Sequence, residues 1–231
     1  RPQGRAADAA GSKALQGKHI VVTSGPTYEP IDPVRFIGNR SSGLQGHAIA
    51  RAAAAAGARV TLVSGPVALA DPAGVETRHV ETALQMRAAA AAALPADVFI
   101  AAAAVADWRA ETAGAHKLKK GEGGVPLLNL VENPDILAEI SAPGPLRPKV
   151  VVGFAAETEN IAQNALEKLK RKRCDLIVAN GVGDGTGTFG GDANQVSIVS
   201  AAGIDSWPRM SKEDVARALI ELVGLKFEEV R

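Results

Sequence analysis

A single cysteine, Cys174, in a chain of 231 residues excludes a disulfide framework and any zinc site built on several thiolates. Aromatic side chains are scarce too, at 3% of the sequence, so the core must be built from small and branched residues. Net charge is nearly absent, with 26 Lys and Arg against 25 Asp and Glu. Such a chain has no general electrostatic hold on nucleic acid or an anionic membrane, and neither is expected as a partner; any anion site must be local. No apolar run approaches the roughly 18 residues of a membrane span. Residues 1–18 also lack the apolar stretch of a signal peptide, so the expected compartment is cytoplasmic. His19, His47, His79 and His116 show no metal-ligand spacing, and no G-x-S-x-G elbow for Ser-based hydrolysis occurs. The chain begins with Arg rather than Met, as a piece of a longer polypeptide or a processed product would.

What is present is a hydrophobic fraction of 46%, dominated by alanine, together with 24 glycines. Small side chains suit close helix–strand packing and close approach of a ligand to backbone, and a GC-rich genome would give the same bias. Residues 1–17 read as a linker, small and charged without periodicity, and residues 18–231 as one domain. Continuous apolar runs at 19–23 (HIVVT), 59–64 (RVTLVS), 97–104 (DVFIAAAA), 149–154 (KVVVGF) and 175–179 (DLIVA) are the signature of parallel strands buried on both faces. A further strand is expected at 77–80. Helical patterns separate them at 43–56, 82–94, 135–140 and 160–173, with a last helix at 212–223. Ser41 and Ser42 are N-cap candidates for the first helix. Residues 195–207 read as a short antiparallel addition. The alternation predicts an α/β fold with one doubly wound, mostly parallel, Rossmann-like sheet.

In such folds ligands bind beyond the carboxyl ends of the strands. The first such loop has about twenty residues, SGPTYEPIDPVRFIGNRSSG, where a dinucleotide-binding fold has a tight G-x-G-x-x-G turn. Asn39, Arg40, Ser41, Ser42 and Gly43 instead lead into a helix N-terminus, a ready anion site; a plain Ser cap is the alternative. In the second loop Ala101, Ala102, Ala103 and Ala104 leave room for a flat ring or a sugar, and Asp107 offers a carboxylate for ribose hydroxyls or merely caps a turn. The HKLKK cluster at 116–120 is either a solvated charge run or a basic flap beside a phosphate pocket. Phe154 could stack on a base or pack in the core, and Lys168 and Lys172 share one helix face at i,i+4. The fourth loop, NGVGDGTGTFGGD, lacks P-loop spacing, and flexibility is its default reading.

The segments TSGPTYEPIDPVRFIGNRSSG, AAAVADWR, HKLKK, ENPDIL, VVGFAAET and CDLIVAN, in this order over residues 18 to about 223, resemble the phosphopantothenoylcysteine synthetase domain of bacterial coenzyme A biosynthesis. The resemblance implies a CTP-dependent ligase joining 4′-phosphopantothenate to L-cysteine through an acyl-cytidylate, with release of pyrophosphate and then CMP. It also implies Mg²⁺ travelling with CTP, a homodimer, and a fused or associated phosphopantothenoylcysteine decarboxylase. Carried over position by position, Ala101, Ala102, Ala103 and Asp107 line the cytidine site. Pro134, Asp135, Ile136, Leu137 and Phe154 stand around the nucleotide; the helix start at Ser42 and Gly43, an anion site on physical grounds, would meet its phosphates. Lys117 is the flap lysine acting on the triphosphate, Lys168 and Lys172 belong to the nucleotide site, and Asn39 handles the acyl-cytidylate. Trp108 stands where the family pattern expects another aromatic, and the fourth loop is unusually Gly-rich. The edge offered by residues 195–207 is the expected dimer contact. Two rival readings are a non-catalytic nucleotide-binding module and an NAD(P)-dependent oxidoreductase. The first leaves the Asn39 and Lys117 pair without a purpose; the second calls for a short Gly-rich first loop.

Overall fold

Strand β1 (His19–Ser24) is buried at every position, as a run without polar alternation requires of a strand covered on both faces. A hairpin that the sequence pattern did not announce follows, β2 (Tyr28–Pro30) with β3 (Phe36–Gly38). Then come α1 (Leu44–Ala55), β4 (Arg59–Ser64), β5 (Glu76–His79), α2 (Ala83–Ala91) and β6 (Val98–Ala101). A second small hairpin, β7 (Trp108–Ala110) with β8 (Leu130–Glu132), lies where a loop was expected. It leads to α3 (Ile136–Ser141), β9 (Val150–Glu157), α4 (Ile161–Lys172) and β10 (Leu176–Gly181). The last elements are β11 (Ala193–Asn194), β12 (Val196–Ser200), β13 (Gly203–Ser206), β14 (Met210–Ser211) and α5 (Lys212–Glu229). This computed structural model describes residues 14–119, 127–157, 160–181, 191 and 193–229.

Eight strands form the central sheet in the order β13-β12-β10-β9-β6-β1-β4-β5. From β10 to β5 every pairing is parallel, and β12 and β13 add the antiparallel extension expected near the end of the chain. Successive side chains of β1 divide between two cores. Ile20 and Val22 pack with Ile49 and Ala53 of α1 and Leu219 and Val223 of α5. Val21 faces the other way, with Met86 of α2, Leu137 of α3 and Ala165 of α4. The doubly wound, Rossmann-like reading is therefore correct. The chain winds outward from β1 to β4 and β5, then returns to place β6 on the other side of β1. The strand order switches between β1 and β6, where the loops leave a crevice.

Two local expectations need correction. Neither Ser41 nor Ser42 caps α1: the N-cap is Gly43, left-handed at φ 76, with no side-chain cap bond. Its carbonyl is taken by the Ser24 hydroxyl at 2.9 Å, which draws the helix start down onto the end of β1. A left-handed backbone favours glycine over serine there. The linker reading fails at 14–17, because Ala14 and Leu15 are buried in the domain and the Gly17 N–H donates to the Gly57 carbonyl at 2.8 Å. The rest of that linker, residues 1–13, lies outside the described residues. The helix expected over 82–94 is shorter, Ala83–Ala91, and starts from Thr82, which forms with Gln85 a reciprocal capping box that was not among the expected caps.

Candidate functional site

A cleft of about 680 Å³ opens at the carboxyl ends of β1, β6, β9 and β10. Its floor is the strand end Ala101, Ala102 and Ala103. That floor is pinned to β1, since Ala102 N–H donates to the Thr23 carbonyl at 3.1 Å and Ala103 N–H to Thr23 Oγ1 at 3.3 Å. Methyl side chains leave the surface flat, so a ring or sugar can lie against the backbone. Asp107 lines the rim and is exposed. Its carbonyl accepts the Asn133 N–H at 2.8 Å, while Asn133 Nδ2 donates to the Ala106 carbonyl at 2.8 Å.

One wall is the start of α1: Ser42, Gly43, Leu44, Gln45 and Gly46 all line the cleft. Because no side chain caps this helix, its first-turn N–H groups are left for a ligand, and the helix dipole favours an anion there. The opposite wall is Pro134, Asp135, Ile136 and Leu137, with Phe154 at the end of β9 and Lys168 and Lys172 from α4. The expected i,i+4 pair of lysines thus faces the cleft from one helix. Lys172 is ion-paired with Asp135, whose other oxygen accepts the Ala138 N–H at 3.0 Å and caps α3. Burial raises the Asp135 pKa, but the Lys172 hydrogen bond, the Ala138 N–H and the nearby Lys168 charge outweigh it and hold the carboxyl below its ordinary value.

Two expected catalytic residues, Asn39 and Lys117, do not line this cleft. Asn39 is a strut between the first two loops: its amide nitrogen donates to the Ala104 carbonyl and its oxygen accepts the Ser41 N–H at 3.1 Å. Lys117 is exposed on a segment laid against the β2–β3 hairpin. The last lysine of HKLKK, the end of the polar loop at 120–124, and residues 182–190 of the Gly-rich fourth loop lie outside the described residues. Cleft residues that the sequence did not single out include Asn194 and Lys212, both buried, as well as Asn180 and Gln45. Gln45 Nε2 donates to the Lys212 carbonyl at 3.1 Å, joining the starts of α1 and α5. Asn180 stands one residue before the end of β10, where the sequence pattern placed the start of the fourth loop. No local pattern marks Asn194 or Lys212, which the returning chain brings in from its last elements.

A parallel sheet with a cleft at its strand-order switch, an uncapped helix start on one side and a lysine pair on the other, defines an α/β domain of the Rossmann type with an anion-receptive ligand cleft. Residues 15–225 match the family described as DNA/pantothenate metabolism flavoprotein C-terminal domain, and the chain belongs to that family. It is 44% identical over 218 residues to the coenzyme A biosynthesis bifunctional protein CoaBC of Escherichia coli K12, covering 93% of this chain and 53% of that protein. The CoaBC of Mycobacterium tuberculosis H37Rv is 48% identical over 202 residues, covering 83% of this chain and 48% of that one. The chain thus spans about half the length of the curated relatives it matches. A crystal structure of the C-terminal domain of a CoaBC superposes with a TM-score of 0.78 at 38% identity, covering 94% of this chain and 99% of that chain. A Cab2 variant in complex with phosphopantothenate-cysteine shares the fold at a TM-score of 0.76 and 19% identity, covering 99% of this chain and 96% of that chain. Among the described residues no helix is long and apolar enough to cross a membrane.

Proposed function

We propose that this chain is a phosphopantothenoylcysteine synthetase, a ligase that uses CTP to join 4′-phosphopantothenate to L-cysteine. The observation that carries the reading is the uncapped start of α1 facing the lysine pair and the alanine floor across one cleft. That arrangement suits a nucleoside triphosphate, with the base and sugar on the floor and the phosphates at Ser42 and Gly43. A carboxylate oxygen of phosphopantothenate bonds to the α-phosphorus, and the bond from that phosphorus to its bridging oxygen breaks, releasing pyrophosphate. The cysteine amine then bonds to the acyl carbon, CMP leaves with the electron pair of the broken C–O bond, and the amine proton passes to solvent. Positioning and positive potential do most of this work, because activation makes the carbonyl reactive.

Among the described residues no group of three or more His, Cys, Asp or Glu could hold a metal ion. Mg²⁺ is proposed only as the companion of the triphosphate, whose negative charge it would offset when bound. The relatives are named as bifunctional proteins, so a fused phosphopantothenoylcysteine decarboxylase is proposed as the partner, in the cytoplasm. The test is pyrophosphate release with CTP, with and without phosphopantothenate. Release that requires both is expected. A nucleotide-binding module gives none, and equal turnover with ATP contradicts the cytosine assignment.

Replacing Asn39 by alanine is expected to spare CTP binding and disturb the acyl-cytidylate stage. The strut geometry supplies the competing outcome. If Asn39 serves only to join the loops, its loss weakens nucleotide binding and stability together, by about 1 kcal/mol per hydrogen bond. Rapid-quench analysis before and after adding cysteine separates the two. Normal formation and consumption of the intermediate removes the catalytic role.

A homodimer is also proposed, with its contact shifted from the one expected in the sequence. Strand β13, the free edge of the tail, is exposed throughout but carries one large apolar side chain, Ile204. Exposed apolar side chains gather instead on and beside the two hairpins, with Val34 and Phe36 on one and Trp108, Leu128 and Leu130 on the other. A patch of this kind on a folded domain marks a contact surface. Light scattering at micromolar concentration should give a dimer of the 23.7 kDa chain. Phe36→Asp should shift it to monomer, and a monomeric parent would remove the idea.

A further inference from the structure

Asp32, at the turn between β2 and β3, is a charged residue only 3% exposed. Oδ1 of its carboxylate accepts the backbone N–H groups of Val34 and Arg35, both at 2.9 Å. Oδ2 takes the Arg35 guanidinium, at 3.0 Å from Nε and also through Nη2. The same oxygen accepts the backbone N–H of Leu118 at 3.0 Å. Arg35 Nη2 in turn donates to the Leu118 carbonyl at 3.0 Å. One ion pair therefore holds both polar groups of the Leu118 backbone, and a further tie runs from the Gly114 N–H to the Ile31 carbonyl at 2.8 Å.

Closing the turn requires only the bonds to Val34 and Arg35, which a neutral Asn side chain can also make. A buried carboxylate is costly unless fully paired, and here the pairing extends to a segment far along the chain. The Arg35 guanidinium outweighs the burial and, with the Leu118, Val34 and Arg35 N–H groups, holds the Asp32 carboxyl well below the usual carboxylate range. It is thus an ionised acceptor at neutral pH. The Leu118 N–H belongs to the same peptide unit as the Lys117 carbonyl, so fixing one fixes the other. The Asp32–Arg35 pair stands on the first loop, which also carries Asn39.

We propose that Asp32 is a positioning residue for Lys117, clasping the adjacent peptide so that the first loop sets where the lysine stands. The inference rests on the ligase reading, in which Lys117 acts on the triphosphate. Asp32→Asn keeps the turn bonds within reach but loses the charge that grips Arg35 and Leu118. NMR-detected hydrogen exchange should show the parent Leu118 amide protected, and Asp32→Asn should speed its exchange about tenfold while β1 amides stay unchanged. Turnover should fall about tenfold in kcat with little change in the KM for CTP. On a Lys117→Gln background the Asp32→Asn change should cost nothing further, since a residue acting through Lys117 has nothing left to position. A multiplicative loss in the double variant would make Asp32 merely structural and overturn the proposal. A parent Leu118 amide that exchanges like a free peptide overturns it with no variant at all. If Lys117→Gln alone leaves turnover unchanged, the ligase role of Lys117 fails, and the exchange data still decide whether the clasp exists.

Discussion

On the ligase reading proposed above, Lys117→Gln is expected to lower CTP-dependent pyrophosphate release by about a hundredfold, the scale set by removing one preorganised positive group from a developing anion. The melting temperature should stay near that of the parent, because Lys117 is exposed and an exposed lysine contributes little to folding. This pairing of results follows from where the residue sits. Its backbone is tied down at Leu118, while its side chain is left in solvent outside the cleft. An ammonium group so placed supports little of the resting fold, so any large effect of its loss on rate would have to arise with the nucleotide bound. A collapsed melt, or an unchanged rate, removes Lys117 from the reaction.

Gly65→Ala is expected to destabilise the domain by about 3 kcal/mol, the upper part of the range for overpacking a close contact. A Cβ at Gly65 would stand 1.7 Å from the Pro26 carbonyl oxygen, and backbone cannot swing aside as a side-chain tip can. Gly65 follows β4, and its N–H donates to the Ser24 carbonyl at 2.9 Å. Pro26 meanwhile bridges to Ala104, so the displacement would pass into the second loop at the edge of the alanine floor. Thermal melting should drop by about 10 °C for a domain of this size, with weaker CTP binding alongside. A melt within a degree of the parent would show that the first loop can move as a body without cost.

The hairpins explain why the loops were legible as places but not as shapes. Strands of three residues, such as Tyr28–Pro30 and Trp108–Ala110, are too short to show a period of two. Their hydrogen bonds depend on a partner brought up by the rest of the chain. The α1 cap was misread for a similar reason. Ser41 and Ser42 have the right chemistry, but the Ser24 hydroxyl and the left-handed Gly43 settle the helix start from outside the local sequence.

By itself the sequence determined the parallel sheet, the alternation of its layers and the places where a ligand would be met. These rest on patterns a few residues long: continuous apolar runs, the helical stretches between them, and the i,i+4 step that puts Lys168 and Lys172 on one helix face. Only the tertiary structure decided what those places contain. Asn39 meets Ala104 across 65 residues, Lys172 meets Asp135 across 37, and Asp32 meets Leu118 across 86. Such pairs have no spacing that could announce them, because the strand order of the finished sheet sets their separation in space. Periodicity and caps are written within a turn or two of backbone, whereas the site joins loops that the doubly wound order makes neighbours at the switch between β1 and β6.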